Sequence, residues 1–193
     1  MAVLEYNLTT TTDPTLEPVT LAEAKRHVEV NTDEHNTQLL TLITTARELV
    51  EAESKRSLIT QTKTQTQREF PASSCPIELM LPPLQSVTSL KYLDSDGTLQ
   101  TITSTNYTVD TAREPGQIWP VYNYSWPLTR DVFNAVQIIY VAGYGDNPTD
   151  VASAAKHAIL LKIGELFEGR EPTPKMLSSY DALIHHLEYG AYP

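Results

Sequence analysis

Residues 33–62 read DEHNTQLLTLITTARELVEAESKRSLITQT, and this stretch decides the fold. It opens with Asp33, a residue type that caps helix N-termini by accepting from free backbone N–H groups. Glu34 follows in what would be the first turn, where the helix dipole favours negative charge. Apolar residues then fall at Leu39, Leu40, Ile43, Ala46, Leu49 and Val50, one stripe at helical spacing, with polar and charged residues on the other face. The pattern fades over 54–57, and the residues after Leu58 alternate weakly, as a strand would. A long amphipathic helix therefore feeds straight into a β region and needs apolar partners from elsewhere in the chain.

On the N-terminal side, Thr20 with Glu23 matches a capping box, and Val19 can supply the preceding staple residue. A short helix with Leu21, Ala24 and either His27 or Val28 on one face should end near 30–32. The tight link to the long helix favours an antiparallel pair. Residues 1–18 are Thr-rich and carry Pro14 and Pro18. They read as an extended arm, either a frayed terminus or one that orders against a neighbouring subunit.

On the C-terminal side, residues 58–145 read as β. The strand candidates are 58–67, 77–81, 87–93, 99–102, 107–110, 117–119 and 135–141, punctuated by Pro71, Pro76, Pro82, Pro83, Pro115, Pro120 and Pro127. Asp94-Ser95-Asp96-Gly97 between two apolar runs is a hairpin signal. Segment 120–130, PVYNYSWPLTR, is either a surface loop presenting Tyr122, Tyr124 and Trp126 or a loop folded back over the sheet. Gly143 and Gly145 mark the turn out of the β region. A third helix is expected over 150–168, burying Val151, Ala155, Ala158, Ile159, Ile163 and Leu166 and stopping at Gly169 and Pro172. A fourth is expected over 179–189, with Leu183, Ile184 and Leu187 apolar and Ser178 with Asp181 as a capping pair. The Pro-containing link before it could let it swing away from the body. The fold class is thus α+β: an antiparallel helical bundle of about four helices (19–57 and 146–169) with an inserted small antiparallel β domain (58–145). An arm (1–18) and a C-terminal segment (170–193) flank these parts.

The chain has 193 residues and a formal net charge of -10. Nucleic-acid binders draw affinity from neutralising phosphates with a basic face, so this balance argues against tight DNA wrapping, though not against DNA sliding past. Cys75 is the single cysteine, which leaves no intrachain disulfide. The N-terminus shows no basic region followed by an apolar run, and no apolar run reaches the ~18–20 residues that span a bilayer. The expectation is a protein made in a cytoplasm and used there or in a particle assembled there.

Chemistry-bearing motifs are sparse. Asp94, Asp96 and Gly97 resemble the start of a calcium loop, but the later ligand positions are not filled, Thr105 among them. His185 and His186 are adjacent, so on a helix they point apart and do not grip one metal. Gly143-Tyr144-Gly145 lacks the further glycines and the Lys of a phosphate loop. The expectation is a non-enzyme with no catalytic, cofactor or metal site.

PVTLAEAKRHVEV, the opening stretch, LPPLQSVTSLKYLDSDG, NYTVD, PGQIWP, VQIIYVAGYG and LFEGREP follow one another in this order. The ordered set resembles the head–tail connector (adaptor, or head-completion) proteins of tailed bacteriophages and covers roughly 16–170. The resemblance implies a ring, commonly of twelve copies, beneath the portal at the neck of the virion. Such a ring extends the DNA channel and offers a surface to the tail or the next completion protein. It also implies a portal contact in the C-terminal segment, carried here by Leu183, Ile184, Leu187, Tyr189 and Tyr192. A tail-side or partner loop would be carried by Tyr122, Tyr124 and Trp126. An acidic lumen would let DNA slide without sticking. The alternative is a tail or baseplate-side module whose β insertion binds a protein partner or a host glycan, with Trp119 or Trp126 exposed beside a groove.

Overall fold

The computed structural model describes residues 6–72, 75–169 and 174–188, the last stretch by its backbone alone up to 178. These residues form an α+β fold, with four helices and two antiparallel sheets among them. The described residues divide into two compact units, one β-rich (6–13 and 60–143) and one helical (14–59 and 144–188). Among them, no helix is long and apolar enough to cross a membrane.

The helical unit holds α1 (Leu21–His27), α2 (Asn36–Ser54), α3 (Ser153–Glu168) and α4 (Pro174–Leu187). The capping box is formed: Thr20 Oγ1 accepts from Glu23 N at 3.2 Å, and Glu23 Oε2 accepts from Thr20 N at 2.8 Å. Val19 is buried beside it. α1 stops at His27, earlier than expected, because the chain turns through a left-handed residue at Glu29 (φ 57°). Asp33 does not cap α2. His35 holds the N-cap position without a side-chain capping bond, while Asp33 pairs with Lys25 at 2.9 Å and accepts from Asn36 Nδ2 at 3.1 Å.

The buried face of α2 keeps Leu39, Ile43, Ala46 and Val50, but Leu40 and Leu49 face solvent. Arg47, Glu51 and Ser54 are buried instead. Arg47 Nε donates to Glu17 Oε2 at 2.8 Å and its Nη1 donates to Glu51 Oε2 at 2.9 Å. Thr44 Oγ1 donates to the other Glu17 oxygen at 2.8 Å. Glu51 Oε1 accepts the backbone N–H of Leu58 at 2.7 Å. One guanidinium thus ties the segment before α1 to the segment after α2. Burial disfavours its charge, but the carboxylates of Glu51 and then Glu17 outweigh that, so its pKa moves up.

α3 follows a single 3-10 turn at Pro148–Asp150 and begins at Ser153. Ala155, Ala158, Ile159 and Ile163 are buried on α3, and Val151 just before it. Leu166 is 36 % exposed and lies outside the stripe expected for it. Gly169 caps the helix in the left-handed conformation at φ 59°. α4 begins at Pro174, so Ser178 lies inside the helix and cannot cap it. It packs back on its unit rather than swinging away: Leu187 is buried, Leu183 and Ile184 pack on the same core, and Lys162 Nζ sits 4.3 Å from the Tyr180 ring centroid. At its end Lys55 pairs with Glu188 at 2.6 Å and Arg56 Nε donates to the Leu187 carbonyl at 2.5 Å.

The β unit holds β1 (Tyr6–Thr12), β2 (Gln61–Gln67), β3 (Ile77–Leu79), β4 (Leu84–Leu93), β5 (Leu99–Ile102), β6 (Tyr107–Asp110), β7 (Gly116–Pro120) and β8 (Val136–Ala142). One sheet runs β1-β2-β8-β4-β5 and the other β3-β7-β6. The N-terminal arm is therefore a strand, antiparallel to β2 in its own unit. Residues 58 and 59, expected to open β2, instead bury Leu58 and Ile59 in the helical core. The two sheets share an apolar cluster that includes Ile77, Leu79, Leu90, Ile118, Val136 and Ile138. A Cβ on Gly116 would lie 2.5 Å from Leu84 Cβ, so only glycine fits where β7 meets β4.

β2 reads QTKTQTQ and is nevertheless largely buried, because its side chains find polar partners. Gln65 Nε2 donates to the Glu78 carbonyl at 2.9 Å and its Oε1 accepts from Met80 N at 3.1 Å. Among the described residues β3 pairs with β7 alone, and the Gln65 amide stands in for a neighbouring strand on the other edge. The buried Tyr140 hydroxyl donates to the Met80 carbonyl at 2.6 Å. The β4–β5 hairpin turns as expected: Asp94 Oδ1 accepts from Thr98 N at 2.8 Å and Gly97 takes φ 86°.

Replacing Arg47 by Met takes from the buried Glu51 and the half-buried Glu17 the guanidinium they share. The expected loss is about 3 kcal/mol, read as a lower urea midpoint. A second expectation concerns acid. Glu23 is held below its ordinary value, first by the Thr20 backbone N–H and then by the Thr20 hydroxyl, against some desolvation. A depressed carboxyl stabilises the fold above its unfolded value of 4.5, and this is lost as pH falls through the lower folded value. The unfolding temperature of Glu23→Gln should therefore fall less steeply below that pH than that of the wild type.

Candidate functional site

The feature best suited to recognition is the connection between β7 and β8, residues 121–135. Its base is fixed by an aromatic stack. Trp126 lies parallel to Phe70 with ring centroids 5.2 Å apart, and its Nε1 donates to the Cys75 carbonyl at 3.0 Å. Tyr124 meets Trp126 edge-on at 6.5 Å, and Tyr92 meets Phe70 edge-on at 5.7 Å. Burial, and then the neighbouring Tyr124 and Asp94, push the Tyr92 hydroxyl above its usual range.

Backbone bonds brace the loop at several other points. Val121 N donates to the Asn106 carbonyl at 3.1 Å, and Arg130 N donates to the Leu93 carbonyl at 3.0 Å. Arg68 Nε donates to Asp131 at 2.7 Å, and Thr66 Oγ1 donates to Asn134 Oδ1 at 2.8 Å. On this braced loop Tyr122 is 93 % exposed, Leu128 88 % and Phe133 82 %. Large apolar side chains held out in water on an anchored loop suit docking to another protein, because little freedom remains to be lost on binding.

The structure separates the residues that the sequence grouped. Tyr122 is presented to solvent, Tyr124 is half-buried, and Trp126 is the anchor, with 7 % of its surface exposed. Both readings of the segment thus hold, for different residues of it. Leu128 and Phe133 were missed. The available signal was a pair of large apolar residues beyond Pro127 with neither strand alternation nor helical spacing. A glycan-stacking role for Trp126 is contradicted by its burial. Trp119 is 40 % exposed, with its Nε1 donated to Gln117 Oε1 at 3.0 Å.

The C-terminal candidates divide differently. Leu187 is buried in the core of the helical unit, and Leu183 and Ile184 are partly buried against it. Tyr189 and Tyr192 lie outside the described residues. His185 and His186 are both exposed. Among the described residues, no group of three His, Cys, Asp or Glu is placed to hold a metal ion.

No protein-family model matches the chain, and no curated protein matches it. Solved structures do. A chain from the neck of an empty GTA particle, computed with C6 symmetry, superposes with a TM-score of 0.79 at 20% identity, covering 97% of this chain and 100% of that one. A chain from the virion of a native gene transfer agent (GTA) particle gives 0.73 at 18% identity, covering 94% of each. A chain from the neck of a native GTA particle, computed with C12 symmetry, gives 0.69 at 20% identity, covering 98% of this chain and 100% of that one. The likeness runs the full length of the chain and establishes a shared fold.

The loop's two kinds of aromatic residue should separate in mutagenesis. Trp126→Ala removes the stacked anchor and should cost about 3–5 kcal/mol of stability. Tyr122→Ala should stay within about 0.5 kcal/mol, as surface substitutions do. Thermal unfolding of both variants checks this.

Proposed function

We propose that this chain is a structural component of a virion neck: a head–tail connector that forms a ring beneath the portal, extends the DNA channel and offers a surface for tail attachment. The observation that carries this reading is the full-length likeness to neck chains of a gene transfer agent particle, at a TM-score of 0.79. The C6 and C12 symmetries of those necks support a ring, and twelve copies is the number proposed. The role is not catalytic and uses no cofactor.

Charge and surface fit the role. With a net charge of -10 per copy, a ring is strongly acidic, and acidic groups along a channel repel phosphates so that DNA passes without sticking. The braced loop carrying Tyr122, Leu128 and Phe133 is assigned to the next completion or tail protein. The portal contact is assigned to the C-terminal segment, where Leu183 and Ile184 are partly exposed on α4.

Native mass spectrometry of the protein alone, and then mixed with its cognate portal, tests the reading. A ring-sized species alone or on the portal is the expected result. A protein that stays monomeric and ignores the portal overturns it.

A further inference from the structure

Strand β1 is the element least committed to its own unit. Of its residues only Leu8 packs against the apolar cluster, and the rest are exposed. Strand β2, which it covers, supplies none of the described residues of that cluster. The junction between them is a backbone ladder reinforced by polar side chains: Thr11 Oγ1 lies 2.5 Å from Thr64 Oγ1, and Lys63 Nζ donates to Thr10 Oγ1 at 2.8 Å. The buried amides of Gln65 and Gln67 are bonded elsewhere, to Glu78, Met80 and Glu69. Withdrawing β1 would uncover polar groups that water can solvate, while β2 kept its full pairing with β8.

The linker and the charge point the same way. After β1 the chain runs through Asp13, Pro14, Thr15 and Leu16, mostly exposed, to Glu17, which Arg47 and Thr44 hold in the helical unit. Pro14 and Pro18 fix φ at two points of this segment and stiffen it. β1 carries no charged residue and β2 only Lys63, in a chain of net charge -10. The strand pair is therefore a place where acidic copies can join without like-charge repulsion.

We propose that in the assembled ring β1 of each copy pairs with β2 of the next copy instead of its own. The inference rests on the ring reading above. Exchange of an identical element preserves every contact and adds an interface at low cost. Donor strand and acceptor strand are different surfaces, so donation in one direction makes a head-to-tail interface, the kind that builds a ring when the rotation between copies closes.

The test uses the full chain with Cys75→Ser and cysteines at the paired positions, Thr9→Cys and Thr64→Cys. A second pair, Asn7→Cys with Thr66→Cys, serves if the first folds poorly. Assembly is followed by native mass spectrometry, then the protein is oxidised and run denatured without reductant. Exchange predicts that most chains run as a covalent ladder of many copies, collapsing to one band on reduction. A ring whose disulfides all lie within single chains overturns the exchange and leaves the connector reading standing. Covalent dimers with nothing longer overturn one-way donation. A monomer with only intrachain disulfides, on its own and with portal, overturns both.

Discussion

The helical unit depends on one buried cation. Arg47 is a charged group on a helix face that packs like apolar surface, and it is tolerated because Glu17 and Glu51 approach it from opposite directions along the chain. A buried guanidinium with both carboxylates in place is a modest gain, but one without them is a large penalty. The network therefore acts as a registration device. The segment before α1 and the exit of α2 are correct only when all three groups meet. The hydrophobic contacts of Leu39, Ile43 and Ala46 would tolerate small slips, and this cluster does not.

The β unit solves a related problem without charge. Its second strand has no apolar residue, yet lies between two others and is mostly buried. The Gln65 amide on β2 does the work that a neighbouring backbone would do at the free edge of β3. The cost of desolvating so many polar groups is kept small because partners are within reach of each.

Much of this was legible in the residues. The strands at Leu99–Ile102 and Tyr107–Asp110, the Thr20–Glu23 capping box, the Asp94 hairpin and the stripe of α3 all follow from local pattern, and local pattern is what such signals encode. The failures share a cause. Arg47 and Glu51 look like solvated residues until Glu17, far off in sequence, closes the network. The threonines of β1 look like an arm because their partner is β2, across the whole first half of the helical unit. Trp126 and Tyr122 look alike in sequence, and only the position of Phe70 decides which is anchor and which is surface. The early start of α4 has no local marker beyond Pro174, which in sequence looks like part of a linker.

The chain passes from β1 into the helical unit, back into the β unit for its remaining strands, and out again into α3 and α4. Each unit is thus interrupted by the other. On a ribosome, β1 emerges before β2 and lacks that partner until β2 follows, with α1 and α2 already made in between. Those two helices in turn wait for the entire β region before α3 arrives to complete their core. Closing loops of this length before any reward is slow, and the polar, uncharged β1 can wait in water without clumping as an apolar strand would. The composition that makes it look like an unstructured arm also makes it safe to synthesise ahead of its partner strand.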